Sequence, residues 1–360
     1  MTGSQKYVII EKAKMTGGQN FITSLSYSPQ LLHIVSVQKG LITMIKGIGI
    51  ALAGIASAGT VACFAGANTL FNRTIPRQDV LRIDLSEMAD MKKWEEYKKF
   101  MVPNREWLQS QELEHVTIKA RDGITLHADY FPAETESDKL VICNHGYTGT
   151  GITNCASVAV FFHNLGYDCL IVDHRGHGQS EGKYIGFGIL DRYDCRKWIE
   201  YIDSRFCKSK KIVLYGVSMG ATTAIMTTGF TDLSDSVKAI IADCAFTSPY
   251  DVFAHILKRD YHLMPFPVMN ISDSMCRKRA GYGFRDYSTL DALKTNKLPV
   301  FFIHGKADNF VPTYMSEQNY KACNSPKEIY LVENAGHGAS YYENTEECQK
   351  RMKNFLEKYL

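Results

Sequence analysis

Ser218 stands in the pentapeptide Gly216-Val217-Ser218-Met219-Gly220, directly after the apolar run Ile212-Val213-Leu214-Tyr215. A buried strand that feeds a tight turn, with glycine on both sides of a serine, lifts the hydroxyl clear of the sheet. The small residues Ala221-Thr222-Thr223-Ala224 that follow suit a helix lying close to that sheet. The first N–H groups of such a helix point at whatever the serine attacks. A serine in this position needs a base to take its proton, and the base needs a carboxylate to orient it.

On a strand–turn–helix elbow the chain order is Ser, then Asp or Glu, then His. Pro299-Val300-Phe301-Phe302-Ile303 reads as a buried strand, and Asp308 lies in the loop His304 to Pro312 just beyond it. Glu328-Ile329-Tyr330-Leu331-Val332 reads as the next strand, and His337 follows in a glycine-flanked loop. The expected triad is therefore Ser218, Asp308 and His337, each just past a strand's C-terminal end, where a site in such a sheet belongs. His337 would take the proton of Ser218 and return it to the leaving group, with Asp308 holding the imidazole in the required tautomer. An oxyanion hole is expected from two backbone N–H groups: Met219, after the serine, and Tyr147, in the loop Asn144 to Gly151. His145 is expected to bond loop backbone. His177 is discounted as the base because its loop follows the wrong strand.

Asn144-His145-Gly146-Tyr147, Asp173 to Gly182, Gly216 to Gly220, His304 to Pro312 and Gly336-His337 together resemble the α/β-hydrolase superfamily. Within it the pattern is most similar to the serine aminopeptidase S33-like branch, which also holds carboxylesterases and lipases. The resemblance spans residues 112–360. It implies a mostly parallel eight-stranded sheet flanked by helices, with a small cap between strands six and seven. It carries fold and triad, and it does not choose the substrate.

The elements that must position these residues are legible along the chain. His115 to Lys119 and Thr125 to Tyr130 form an opening antiparallel hairpin turned by Arg121-Asp122-Gly123. Helices are expected near Gly188 to Phe206 and from Asn344 to Tyr359. Asp173 and Arg175 are expected to pair and brace the loops behind the site. The cap is expected over 245–295, where Tyr250, Phe253 and Phe266 are the pocket candidates. These bulky apolar residues favour an apolar acyl or alcohol group.

With a net charge of +3 and ordinary charged content, nothing points to nucleic acid, and no nucleic-acid partner is expected. Ten cysteines are scattered without a C-x-x-C pair or metal-ligand spacing, so neither a metal site nor a disulfide framework is expected. Nothing in the chain implies a cofactor, and the sequence leaves the oligomeric state open.

Gly47 to Asn72 has no charged residue. At ~1.5 Å rise its length matches a ~30 Å hydrocarbon core. Residues 44–72 are therefore expected to be a transmembrane or signal-anchor helix, anchoring the protein in a bacterial cell membrane through 47–72. Lys39 and Lys46 on one side and Arg73, Arg77 and Arg82 on the other leave its orientation open. Residues 1–43 are a poorly patterned extension, with Met15 and Met44 as alternative starts. Residues 73–111 are expected to be a linker carrying an amphipathic helix, Asp84 to Met101, that packs on the hydrolase body or, in the alternative, lies on a membrane surface so that the site faces lipid.

The sequence thus points to a serine hydrolase of carboxylic esters, with lipids among the candidate substrates, acting through an acyl-enzyme. A serine aminopeptidase or amidase is the alternative, with Asp251, Asp260 and Asp273 available to hold a substrate amine. A catalytically idle, membrane-tethered binding protein is the third reading.

Overall fold

The computed structural model describes residues 56–78 and 91–360. Eight strands run through it: β1 (Glu114–Lys119), β2 (Thr125–Phe131), β3 (Lys139–Asn144), β4 (Asp168–Val172), β5 (Lys211–Val217), β6 (Val237–Asp243), β7 (Val300–Gly305) and β8 (Lys327–Val332). They form one sheet in the order β1-β2-β4-β3-β5-β6-β7-β8. The hairpin pairs Val116 with Ala128, and β2 runs antiparallel to β4. Every later pair is parallel.

Alternation along the central strands sends side chains to two cores. Leu140, Ile142, Ile212 and Leu214 pack on one face, where they meet Trp198 and Ile199 of helix α4 (Asp191–Arg205). Val141, Cys143, Val213 and Tyr215 pack on the other, against Phe162 of α3 (Gly151–Asn164) and Phe355 of the C-terminal helix α9 (Thr345–Tyr359). Both faces are covered, which is why these parallel strands read as continuous apolar runs. Helix α5 (Met219–Thr227) is buried along its whole length, as its small residues require. All ten cysteines are free thiols, and most are buried in these cores.

Between β6 and β7 the chain builds the cap from α6 (Pro249–Tyr261), α7 (Val268–Ala280) and α8 (Thr289–Thr295). Ser248 caps α6 through a bond from the Asp251 N–H, and Gly281 ends α7 in the left-handed region.

The N-terminal arm overlaps the segment expected to span a membrane. Helix α1 (Ala56–Thr74) covers the second half of the anticipated membrane span. Ala67, Leu70 and Phe71 on it are buried in the cap core beside Met269 and Tyr282. Among the described residues no helix is long and apolar enough to cross a membrane. Of the larger side chains on this helix, Leu70 and Phe71 find protein partners, whereas Phe64 is exposed. Residues 44–55 lie outside the described residues, as do 1–43.

Helix α2 (Met91–Gln109) runs eight residues beyond the expected end at Met101, through Pro103. Proline removes one rung of the helix ladder, yet burial of Tyr97 and Leu108 holds the helix together. The ring of Phe100 lies 6.2 Å from that of Tyr341, and Lys93 pairs with Glu343, so α2 docks on the body. Residues 84–90 of the expected helix are outside the described ones.

Candidate active site

Ser218 sits between β5 and α5 with φ 56° and ψ −115°. That conformation is strained for any residue with a Cβ, by roughly 1–3 kcal/mol, and it is the geometry that aims the side chain away from the sheet. The two glycines permit it. A Cβ on Gly216 would lie 2.3 Å from the Gly220 carbonyl carbon, and one on Gly220 would lie 2.1 Å from the Asn144 carbonyl oxygen.

The Ser218 hydroxyl lies 2.9 Å from His337 Nε2, and His337 Nδ1 lies 2.7 Å from Asp308 Oδ2. With Nδ1 bonded to a carboxylate, the proton of neutral imidazole belongs on Nδ1. Nε2 is left to accept from the serine. Asp308 is fully enclosed and fully bonded. Its Oδ1 accepts the N–H groups of Phe310 and Val311, at 2.9 Å each. Its Oδ2 also faces His304 Nε2 at 3.1 Å. Burial alone would raise the Asp308 pKa, but His337 and His304 outweigh it and hold the carboxyl well below the usual range. The carboxylate is therefore charged throughout the physiological range.

The loop after β3 passes directly against the serine: a Cβ on Gly146 would lie 3.5 Å from Ser218 Cβ. This brings Tyr147, like Met219, next to Ser218 in the fold. Two buried histidine side chains, His145 and His177, fix the loop. His145 Nδ1 donates to its neighbour's carbonyl, Gly146 O, at 2.7 Å, and Nε2 accepts the His174 N–H at 2.9 Å. His177 Nε2 accepts the Thr148 N–H at 3.0 Å, while Nδ1 donates to Arg175 O at 3.0 Å. Burial pushes both imidazoles, and that of the adjoining His174, down to about 3, so all three are neutral. His177 is thus committed to loop geometry.

An apolar cavity of about 40 Å³ opens beside Ser218. Phe246, Val252, Phe253 and Ile256 line it from the cap side, and Tyr147, Phe187 and Phe310 from the sheet-edge loops. Leu70 and Thr74 of α1 complete the wall.

Residues 135–265 match the family model described as serine aminopeptidase, S33. The chain is 33% identical over 228 residues to the uncharacterised protein YqkD of Bacillus subtilis, covering 63% of this chain and 74% of that one. It is 27% identical to the protein bem46 of Schizosaccharomyces pombe, over 61% of this chain and 69% of that one. The chain belongs to the α/β-hydrolase superfamily. Its fold is also that of a solved Pyrococcus furiosus esterase, with a TM-score of 0.57 and 24% identity over 69% of this chain and 92% of the esterase. The α/β hydrolase GrgF of Penicillium sp. shares it at a TM-score of 0.55, with 17% identity over 69% of this chain and 99% of GrgF.

Two pocket expectations for this α/β-hydrolase need correction. Phe266 is 73% exposed on the cap surface and does not reach the cavity. Tyr250 lies beneath the Arg285 guanidinium, 3.2 Å from its ring centre, and is not part of the wall. Only Phe253 of the three lines the cavity. Both misplaced rings sit in the cap, where sequence shows bulk but not the face a helix turns inward.

Asp173 and Arg175 also part company. Asp173 accepts the Gly151 and Gln179 N–H groups, at 2.8 Å each. Arg175 forks onto Asp194 at 2.5 and 2.7 Å and reaches Asp122 at 2.9 Å.

Among the described residues two groups of side chains have metal-ligand spacing. One is the Asp308–His337 pair with Cys244, which already forms the hydrogen-bonded chain above. The other is His115, His127 and Asp129, on the edge hairpin three strands from β5, where His115 Nδ1 bonds Asp129 Oδ1 at 2.6 Å.

Proposed function

We propose that this hydrolase cleaves carboxylic esters of apolar acyl or alcohol groups through an acyl-enzyme on Ser218. The observation that carries the reading is the continuous chain Ser218–His337–Asp308, at 2.9 and 2.7 Å, opening on an apolar cavity. In the first step Ser218 Oγ attacks the ester carbonyl carbon while His337 Nε2 takes the hydroxyl proton. The charge that develops on the carbonyl oxygen is met by the Tyr147 and Met219 backbone N–H groups. The C–O bond to the alcohol then breaks, and His337 delivers its proton to the departing oxygen. Water repeats the sequence on the acyl-enzyme and releases the acid, with Asp308 stabilising the imidazolium in both halves.

The ester reading is favoured over the aminopeptidase because every residue lining the cavity is uncharged. The acids available to hold a substrate amine are engaged elsewhere. Asp251 accepts from Thr247 and Ser248 hydroxyls, Asp260 pairs with Arg259, and Asp273 pairs with Arg277. A substrate ammonium in this cavity would be desolvated without a counter-charge.

The test is hydrolysis of a p-nitrophenyl ester series, acetate to laurate, by the full chain and by Ser218→Ala. Turnover in the parent that is lost in the variant is the expected result. Hydrolysis of aminoacyl amides in preference to esters would overturn the ester assignment.

A further inference from the structure

We infer that the N-terminal arm sets the acyl-chain length this site accepts, with Leu70 and Thr74 of α1 as the wall that limits the cavity. This rests on the hydrolase reading above and adds a residue set outside the matched stretch 135–265.

The arm is packed and bonded to the body at several points. Leu70 is buried and lines the same cavity as Ser218. Phe71, one position on, is buried in the cap core, with the Arg279 guanidinium 5.0 Å from its ring centre. Beyond the helix the chain pairs with the loop that precedes α4. Ile185 N–H donates to Ile75 O at 2.8 Å, and Arg77 N–H donates to Lys183 O at 2.9 Å. The Arg77 guanidinium donates to Ser180 O at 2.5 Å and Gly178 O at 2.6 Å. Thr74 O accepts the Tyr147 hydroxyl at 3.0 Å, and Thr74 Oγ1 donates to Leu70 O at 2.6 Å. These bonds hold α1 in one position, so the space beside Ser218 ends at a fixed surface.

A wall at fixed distance reads length. Each methylene that fits the cavity gains about fourfold in transition-state binding. The first that meets Leu70 gains nothing or clashes. Leu70→Ala removes three carbons from the wall and keeps a strong helix former. Leu70→Trp advances the wall toward Ser218. A side chain that only stabilises the fold would change all chain lengths alike, whereas a wall moves the optimum in opposite directions for the two variants.

The experiment measures kcat/KM for the p-nitrophenyl series, acetate to laurate, with the full chain and both Leu70 variants. The expected result is an optimum about two to three carbons longer in Leu70→Ala and shorter in Leu70→Trp. An optimum unmoved in both would overturn the wall while leaving the esterase reading intact. A second readout needs no turnover: in the Ser218→Ala background, fatty acids from butyrate to palmitate displace anilinonaphthalene sulfonate. The same opposite shifts in the preferred fatty acid are expected there. If no variant hydrolyses any ester, the function reading falls, and this binding series alone decides the wall. Equal preference in both variants would overturn it.

Discussion

The Tyr147 hydroxyl donates to the Thr74 carbonyl oxygen over 3.0 Å, and so ties the loop beside Ser218 to the last turn of the N-terminal helix. The tyrosine ring is packed 5.0 Å from that of Phe187, so its position does not depend on the hydroxyl alone. Tyr147→Phe keeps the ring and removes the bond. It is expected to cost about 1 kcal/mol of stability and to raise KM for apolar esters a few-fold with kcat little changed. Thermal melts and steady-state kinetics on the same preparation check both. A loss confined to kcat would show that the hydroxyl acts on the chemistry instead.

Gly220→Ala is expected to destabilise the fold severely, by about 3 kcal/mol or more. Its Cβ would sit 2.1 Å from the Asn144 carbonyl oxygen, on backbone that β4 and β5 hold from both sides. Gly338→Ala is the comparison. It also lies beside the site, at φ +66°, but a Cβ there meets nothing within 4 Å. Its cost is the left-handed backbone alone, about 1–2 kcal/mol. Urea titration of the two variants should rank them in that order.

The contrast between these glycines shows which parts of the chain were readable. The strands that deliver Ser218, Asp308 and His337 are short apolar runs ending in glycine-rich loops, and chain order does the rest. That signal is local, and the structure brings the three side chains into one hydrogen-bonded line. The pocket wall has no such signal. Phe187 and Phe310 reach the cavity from loops, and Leu70 from a segment whose lack of charge reads equally well as a membrane span. Hydrophobic content says that Leu70 must be buried. Whether lipid or protein buries it is decided by α7, some 200 residues later in the chain. Arg175 is a similar case: its pairing with Asp194 instead of Asp173 is a matter of tertiary geometry that spacing cannot encode.

Arg175→Ala should cost about 3–5 kcal/mol, because it strands a buried carboxylate. The Arg175 and Asp194 side chains are 7% and 4% exposed, and burial already pushes the Asp194 carboxyl up against the opposing pull of the arginine. Arg175→Lys should recover only part of the loss, since an ammonium cannot make the two-pronged contact with Asp194 while also reaching Asp122. Activity per folded molecule should change less than stability in both variants. Urea denaturation alongside active-site titration with a fluorophosphonate separates the two effects.

Acid should weaken the loop beside Ser218 through His177. Burial, then the neighbouring His145, depresses its folded-state pKa from 6.5 to about 3. A depressed histidine binds fewer protons folded than unfolded across that interval. Its contribution is therefore fully present above pH 6.5 and is lost progressively as pH falls toward 3. Asp191, raised by burial to about 7, and Asp243, raised by burial to about 6, act with the opposite sign over the upper part of the window. The variant comparison isolates the histidine. His177→Gln offers an amide oxygen to the Thr148 N–H and cannot be protonated. Its unfolding free energy should depend less steeply on pH between about 4 and 6.5 than that of the parent. Parallel curves would show that His177 does not titrate with unfolding.

His304 is expected to be a positioning residue for the triad. It is wholly buried, with Nδ1 2.6 Å from Ser316 Oγ and Nε2 facing both Asp308 Oδ2 at 3.1 Å and Val311 O at 2.8 Å. It does not itself line the cavity, and its bond to the triad is the one to Asp308. Replacing Asp308 itself by Asn leaves His337 in the wrong tautomer and should lower kcat by about 10⁴. His304→Leu leaves the carboxylate in place but removes one charge-assisted hydrogen bond, a change of roughly 1.5–3 kcal/mol. That corresponds to about 10- to 100-fold in kcat if it is felt in the transition state. KM should stay within about twofold, because ground-state binding in the apolar cavity does not involve Asp308. Steady-state kinetics on a short and a long ester check this. A rise in KM that grows with acyl length would place the effect of His304 in the pocket instead of in the orientation of His337.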